Sequence, residues 1–160
     1  ILDAGALYLA GTLEQPTLIT PHAGELSKLL ESRGVKASSE QIEAEPIKWA
    51  KVASQTLLVA VLLKGSTTVV ALGDEVITLP PATPMLATAG SGDVLAGIIG
   101  ALFATNYIEI LNDETLILEI AATGALIHQK AALLASDGAP ITASQIIDNI
   151  QRAIRLIVSK

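Results

Sequence analysis

Leu57-Leu58-Val59-Ala60-Val61-Leu62-Leu63 is an unbroken apolar run, and Lys64-Gly65-Ser66 closes it. A stretch this short and this uniform has no polar face to offer as an amphipathic helix. It has the form of a strand buried on both faces. Residues 57–63 are therefore expected to be the central strand of a sheet. The next residues agree: 67–72 and 75–79 flank Gly73-Asp74, the composition of a hairpin. An all-helical bundle is set aside on these grounds.

Upstream, residues 1–2 and 17–20 carry strand signals on either side of an alanine-rich helical piece at 5–10, and Pro21 stops the second strand. Residues 24–33 place Leu26, Leu29 and Leu30 at helical spacing and end before Gly34. Ser38 and Ser39 precede Glu40 and Gln41, opening a helical stretch that runs to Gln55, with Pro46 as a break or a new first turn. Downstream of a proline-rich loop, residues 91–104, 113–136 and 143–158 are expected as helices, the last capped by Thr142. Strands separated by helices, then a hairpin, then helices predict an α/β layered domain with a mixed sheet. No repeat or linker divides the chain.

Composition narrows the function. The chain has 160 residues, no cysteine and only 2 histidines, which excludes a disulfide scaffold, a thiolate zinc module and a thiol enzyme. A net charge of −6 with 2% aromatic residues argues against a nucleic-acid surface. The uncharged run 76–92 is interrupted by Pro80, Pro81 and Pro84. The run 94–108 is short of the roughly 20 apolar residues a spanning helix needs. Neither nucleic acid nor membrane is expected as a partner.

Three segments concentrate polar chemistry at predicted strand ends. Gly90-Ser91-Gly92 opens directly into a helix whose first turn carries Asp93. Free N–H groups of Gly90, Ser91 and Gly92, with the positive end of the helix dipole, make a phosphate site. A carboxylate beside such a site is either an ordinary first-turn acid or a group that takes a proton from an attacking hydroxyl. Thr20-Pro21-His22-Ala23-Gly24-Glu25 joins a strand end to a helix start, the edge where open α/β sheets bind ligands. There His22 is a neutral donor or acceptor, and Glu25 either binds a metal-bound water or caps the helix. Lys64-Gly65-Ser66-Thr67-Thr68 follows the most apolar strand, so the Lys64 ammonium reaches the sheet edge or stays solvated in a turn. The spacing is not that of a P-loop, and no dinucleotide-binding glycine fingerprint follows a strand.

Together with Leu2-Asp3-Ala4-Gly5-Ala6-Leu7, with Ala87-Thr88-Ala89 leading into Gly90-Ser91-Gly92-Asp93-Val94-Leu95-Ala96-Gly97, and with the helices around Ala125, His128 and Ala131 and from Thr142 to Ile154, these segments resemble the ADP-dependent NAD(P)H-hydrate dehydratase family of the ribokinase-like superfamily. Members typically carry Asp at the position of Gly5, Pro at that of Ala23 and Gly at that of Ala89. The resemblance implies a layered α/β/α domain with a mixed, mainly parallel sheet, of which this chain, residues 1–160, forms the C-terminal portion without an internal boundary. It implies that Lys64, Gly65, Ser66, Thr67 and Thr68 line the nucleotide, and that Thr88, Ala89, Gly90, Ser91 and Gly92 wrap its phosphates. It implies that Thr20, Pro21, His22, Gly24 and Glu25 contact the hydrated nicotinamide nucleotide, and that Asp93 meets its hydroxyl as the catalytic base. The implied reactants are NAD(P)H hydrate and ADP or ATP. Mg2+ would be held through the nucleotide phosphates, with Glu25 as a candidate ligand. A cytoplasmic homo-oligomer that needs the N-terminal part of the domain completes the expectation. The rivals are a small-molecule kinase of the same superfamily, acting on a vitamin precursor or sugar, and a noncatalytic nucleotide-binding fragment.

Overall fold

The computed structural model describes residues 1–159. Its centre is β2 (Ala60–Leu63), every residue of which is buried. β1 (Leu18–Ile19) pairs with β2 in parallel, while β3 (Val69–Leu72) and β4 (Glu75–Thr78) follow in antiparallel order, giving the sheet β1-β2-β3-β4. A bridge from Leu2 to Ile19 adds a further parallel contact outside β1. The sheet is mixed as expected, but parallel pairing is confined to the β1 side and does not predominate among the named strands. The reason is connectivity: β2, β3 and β4 are joined by short turns, which permit only antiparallel pairing.

The strands alternate faces with period 2. Ile19, Val61, Leu63, Val69 and Ala71 pack with Leu26, Leu30, Ala50 and Ala53 of α1 (Ala23–Glu31) and α3 (Pro46–Leu57). Leu18, Ala60, Leu62 and Val70 face the opposite way. They pack against Leu95 and Ile99 of α4 (Ser91–Thr105), Ile110 of α5 (Tyr107–Asn112), and Ile117 and Ala121 of α6 (Leu116–Ser136). α7 (Ala143–Val158) lies on α4 and α6 through a third apolar cluster containing Val94, Ala131 and Ile146. The result is three layers, helix on sheet on helix. α6 is long and apolar enough to cross a bilayer by composition alone, yet most of its apolar window is buried within this fold.

Local chemistry accounts for the boundaries. Ser38 and Thr142 each form a capping box, with Gln41 at the start of α2 (Ser39–Ala44) and with Gln145 at the start of α7. Pro46 takes the first turn of α3, where its missing N–H costs nothing. The run 57–63 does not form one strand. Leu57 ends α3, Leu58 turns the chain in the left-handed region at φ 53° with 85% of its surface exposed, and the strand begins only at Ala60. Ser54 Oγ donates to the Val59 carbonyl at 2.7 Å and accepts from the Gly73 amide at 2.9 Å, which secures this turn against the hairpin. The helix expected at 113–136 begins at Leu116, and the separate α5 precedes it.

Candidate functional site

The site grows from three neighbouring chain segments. The Leu2 amide donates to the Leu18 carbonyl at 2.9 Å, the Thr20 amide to the Leu2 carbonyl at 3.0 Å, and the Lys64 amide to the Pro21 carbonyl at 2.8 Å. This ladder delivers Asp3, His22 and Lys64 side by side at the carboxyl edge of β1 and β2. Lys64 Nζ lies 2.9 Å from Asp3 Oδ1 and 3.8 Å from Glu25 Oε2. Burial pushes the Asp3 carboxyl up. The hydrogen bond and charge of Lys64, aided by Thr20 and the Ala4 backbone, outweigh burial and hold it below its ordinary value. Two carboxylates around one ammonium leave the cluster net negative.

His22 is the N-cap of α1. Its Nδ1 accepts from the amides of Gly24 at 3.1 Å and Glu25 at 3.3 Å, while Glu25 Oε2 accepts from the His22 amide at 2.9 Å. The two residues form a capping box in which imidazole replaces the usual hydroxyl. Accepting at Nδ1 places the neutral ring's proton on Nε2, which lies 3.5 Å from Glu25 Oε2. Of the alternatives open for Glu25, the structure shows capping.

The third wall is the start of α4. Gly90 is its N-cap at φ 82°, with no side-chain cap, and a methyl group there would meet Ala143 Cβ at 3.2 Å. The Ser91 amide is not free as expected, because it donates to the Thr88 carbonyl at 3.2 Å. Among the described residues the amides of Gly90, Gly92 and Asp93 carry no protein partner, so of the three expected free amides only that of Ser91 is occupied. Gly92 abuts the ion pair: a Cβ there would sit 3.4 Å from Lys64 Nζ and 3.6 Å from Asp3 Oδ2.

His22, Lys64, Gly65, Ser66, Thr68, Thr88, Ser91 and Gly92 line one cavity of about 590 Å³. Thr67 lines an adjoining recess with His22 and Lys64. Thr20 and Pro21 are buried beneath the edge, while Ala89 is exposed on the loop. Asp93 is exposed and borders a separate apolar groove between α4, α6 and α7. The wall also holds His128 and Gln129, which have no role in the expected site, and Asp3, likewise without one, pairs with the wall residue Lys64. Asp3 follows a predicted strand directly, which is a legible signal. His128 and Gln129 sit inside an apolar helix pattern, where nothing but their polarity marks them.

Among the described residues no group of three or more acidic or histidine side chains gathers to hold a metal. Asp3 and Glu25 both face Lys64. This donor set does not suit an all-protein magnesium cage, but fits an ion carried mainly by phosphate oxygens with a carboxylate close by.

A family model described as NAD(P)H-hydrate dehydratase matches residues 1–152. The bifunctional NAD(P)H-hydrate repair enzyme of Corynebacterium glutamicum is 38% identical over 156 residues, covering 86% of this chain and 27% of that protein. The ADP-dependent (S)-NAD(P)H-hydrate dehydratase of Neisseria meningitidis is 32% identical, covering 97% of this chain and 51% of that protein. The ADP/ATP-dependent NAD(P)H-hydrate dehydratase of Bacillus subtilis, co-crystallised with ATP/Mg2+, shares the fold with a TM-score of 0.75. It is 24% identical and the match covers 96% of this chain and 53% of that one. The chain thus spans about half or less of the length of these relatives.

Proposed function

The chain belongs to the NAD(P)H-hydrate dehydratase family, and on that premise we propose that the protein carrying it dehydrates (S)-NAD(P)H hydrate to NAD(P)H with cleavage of ADP to AMP and phosphate. The observation that carries this reading is the convergence of His22, Lys64 and Gly92 on one cavity at the carboxyl edge of the sheet. Hydroxide is a poor leaving group and phosphate a good one, so activation by phosphorylation is the chemical logic.

Asp93 takes the proton of the ring hydroxyl as that oxygen attacks the terminal phosphorus of ADP and the bond to AMP breaks. The C–O bond of the phosphorylated hydrate then breaks with the electron pair leaving on phosphate. The adjacent carbon gives up a proton as the ring double bond re-forms. Amides of Gly92 and Asp93, with the α4 dipole, stabilise charge on the transferring group. Lys64 contributes less than a free cation, because Asp3 and Glu25 already offset it. The chemistry that phosphate-borne magnesium supplies is neutralisation of the remaining charge, with Glu25 the nearby carboxylate. Residues 64–68 and 88–92 line the nucleotide, and residues 20–25 the nicotinamide substrate. A cytoplasmic location and assembly into a homo-oligomer belong to the same reading; exposed Leu133, Ile147 and Ile154 on α6 and α7 offer apolar surface for contact.

The test is restoration of dihydronicotinamide absorbance from hydrated NADH by the full-length protein with ADP. Asp93→Asn is expected to retain ADP binding and to lose turnover by about 100-fold or more. Undiminished turnover in that variant would overturn the role of Asp93. Appearance of a phosphorylated alcohol without NADH would identify a kinase instead.

A further inference from the structure

α4 begins without a capping side chain, so something else must orient its first turn. Ser91 is held at two points. Its amide is bonded to the Thr88 carbonyl, and its hydroxyl, in a residue only 4% exposed, lies 3.2 Å from Nε2 of His128 on α6. Either partner can donate, and the bond persists in either tautomer that leaves one proton between them. His128 is itself 5% exposed. Burial holds its imidazole down to about 4, partly opposed by a hydrogen bond with the Ser91 backbone, so the ring is neutral at neutral pH and acts through its hydrogen bond. The two helices approach closely below this point: a Cβ on Gly124 would lie 2.6 Å from Ile99 Cγ1. Beside His128, Gln129 lines the same cavity, and among the described residues its buried carboxamide nitrogen has no protein partner.

We propose that His128 is a positioning residue for the anion site. By holding the Ser91 hydroxyl, it fixes the rotation of the first turn of α4 and keeps Gly92 and its free amide at the cavity wall. This rests on the reading that the cavity receives the phosphates of ADP. A side chain that merely fills space between α4 and α6 would support stability, but would not couple to Ser91 in nucleotide binding.

The experiment compares Ser91→Ala, His128→Phe, His128→Gln and the Ser91→Ala/His128→Phe double variant in the full-length protein, measuring KM for ADP and for hydrated NADH separately. Ser91→Ala and His128→Phe should each raise KM for ADP by about tenfold, and the double variant should be no worse than either single one. KM for hydrated NADH should stay within about twofold, because the bond acts on the phosphate side of the site. His128→Gln, which can place a carboxamide nitrogen near the position of Nε2, should recover most of the loss. If His128→Phe does not fold, Ser91→Ala removes a single oxygen and carries the test. Unchanged KM for ADP in Ser91→Ala, or multiplying effects in the double variant, overturns the proposal. A wild-type protein that does not restore NADH with ADP overturns the functional reading, and this proposal with it.

Discussion

Lys64 Nζ and Asp3 Oδ1 are 2.9 Å apart although 61 residues separate them in the chain. The pair ties the segment after Leu2 to the end of β2, across the intervening β1. Asp3→Asn should therefore destabilise the protein at pH 7 by about 1 kcal/mol, since the pair is only partly buried and Glu25 remains close to Lys64. The folded-state pKa of Asp3 lies below its ordinary value of 3.8. Its contribution is thus complete above that value and is lost as pH falls through the folded-state value. Urea denaturation of both proteins should show a gap that closes only in that acidic range. A gap that closes between pH 7 and 5 would contradict the assignment.

His22 has two separable roles under this reading, as the cap of α1 and as a contact to substrate. His22→Ala removes the acceptor for the Gly24 and Glu25 amides, so it should cost about 1 kcal/mol of stability and also lower activity. His22→Asn restores a capping acceptor and should recover the stability. Activity should remain depressed, because carboxamide does not place an N–H where Nε2 does. Thermal melts alongside NADH-restoration rates distinguish the two roles; full recovery of both by Asn would reduce His22 to a cap.

Much of the fold and part of the site were legible in the sequence, and the exceptions have physical causes. Helix starts carrying Ser38, Pro46 and Thr142 follow ordinary capping chemistry and fall where expected. α1 starts at Ala23, one residue earlier than expected, because His22 is an unusual N-cap and its ring acts as an acceptor only through Nδ1. Leu58 misleads the strand assignment because an exposed leucine in the left-handed region carries no compositional mark. The sheet-edge convergence of residues 20–25 and 64–68 was legible, since both follow strands. The local sequence places Asp3 after a strand but does not mark its role, because its partner Lys64 is distant in the chain. His128 is hidden by the apolar helix around it, and only the fold brings it, buried, within 3.2 Å of the Ser91 hydroxyl.

Gly90 and Gly92 make opposite predictions despite lying two residues apart. Gly90 has φ 82° and a Cβ there would meet Ala143 Cβ at 3.2 Å, so Gly90→Ala should cost about 1–2 kcal/mol of stability. Gly92 has no such strain, and its added methyl would find ordinary contacts with Lys64 and Asp3. Gly92→Ala should leave stability within about 0.5 kcal/mol while weakening ADP binding, because the methyl stands beside the free amides. Denaturation midpoints and ADP titrations of the two variants check this. Equal destabilisation by both would place the constraint at Gly92 in the fold instead of the ligand site.

His128 gives the fold a pH dependence of definite sign. Its ordinary pKa of 6.5 falls to about 4 in the folded chain, chiefly through burial. Between these values the unfolded chain binds a proton that the folded chain excludes, so stability is full above pH 6.5 and declines as pH falls towards 4. The slope approaches about 1.4 kcal/mol per pH unit for one such group, and the whole interval amounts to about 3 kcal/mol. Asp3 adds nothing to this window, since its own transition lies lower. His128→Gln keeps a neutral hydrogen-bonding group beside Ser91 and has no proton to exclude. It should be somewhat less stable than the wild type at pH 7.5, yet flatter between pH 6.5 and 4.5. Denaturation midpoints at half-unit steps of pH measure both slopes. Parallel curves for the two proteins would mean that another group governs acid sensitivity and that His128 is more accessible to protons than its burial beside Ser91 requires.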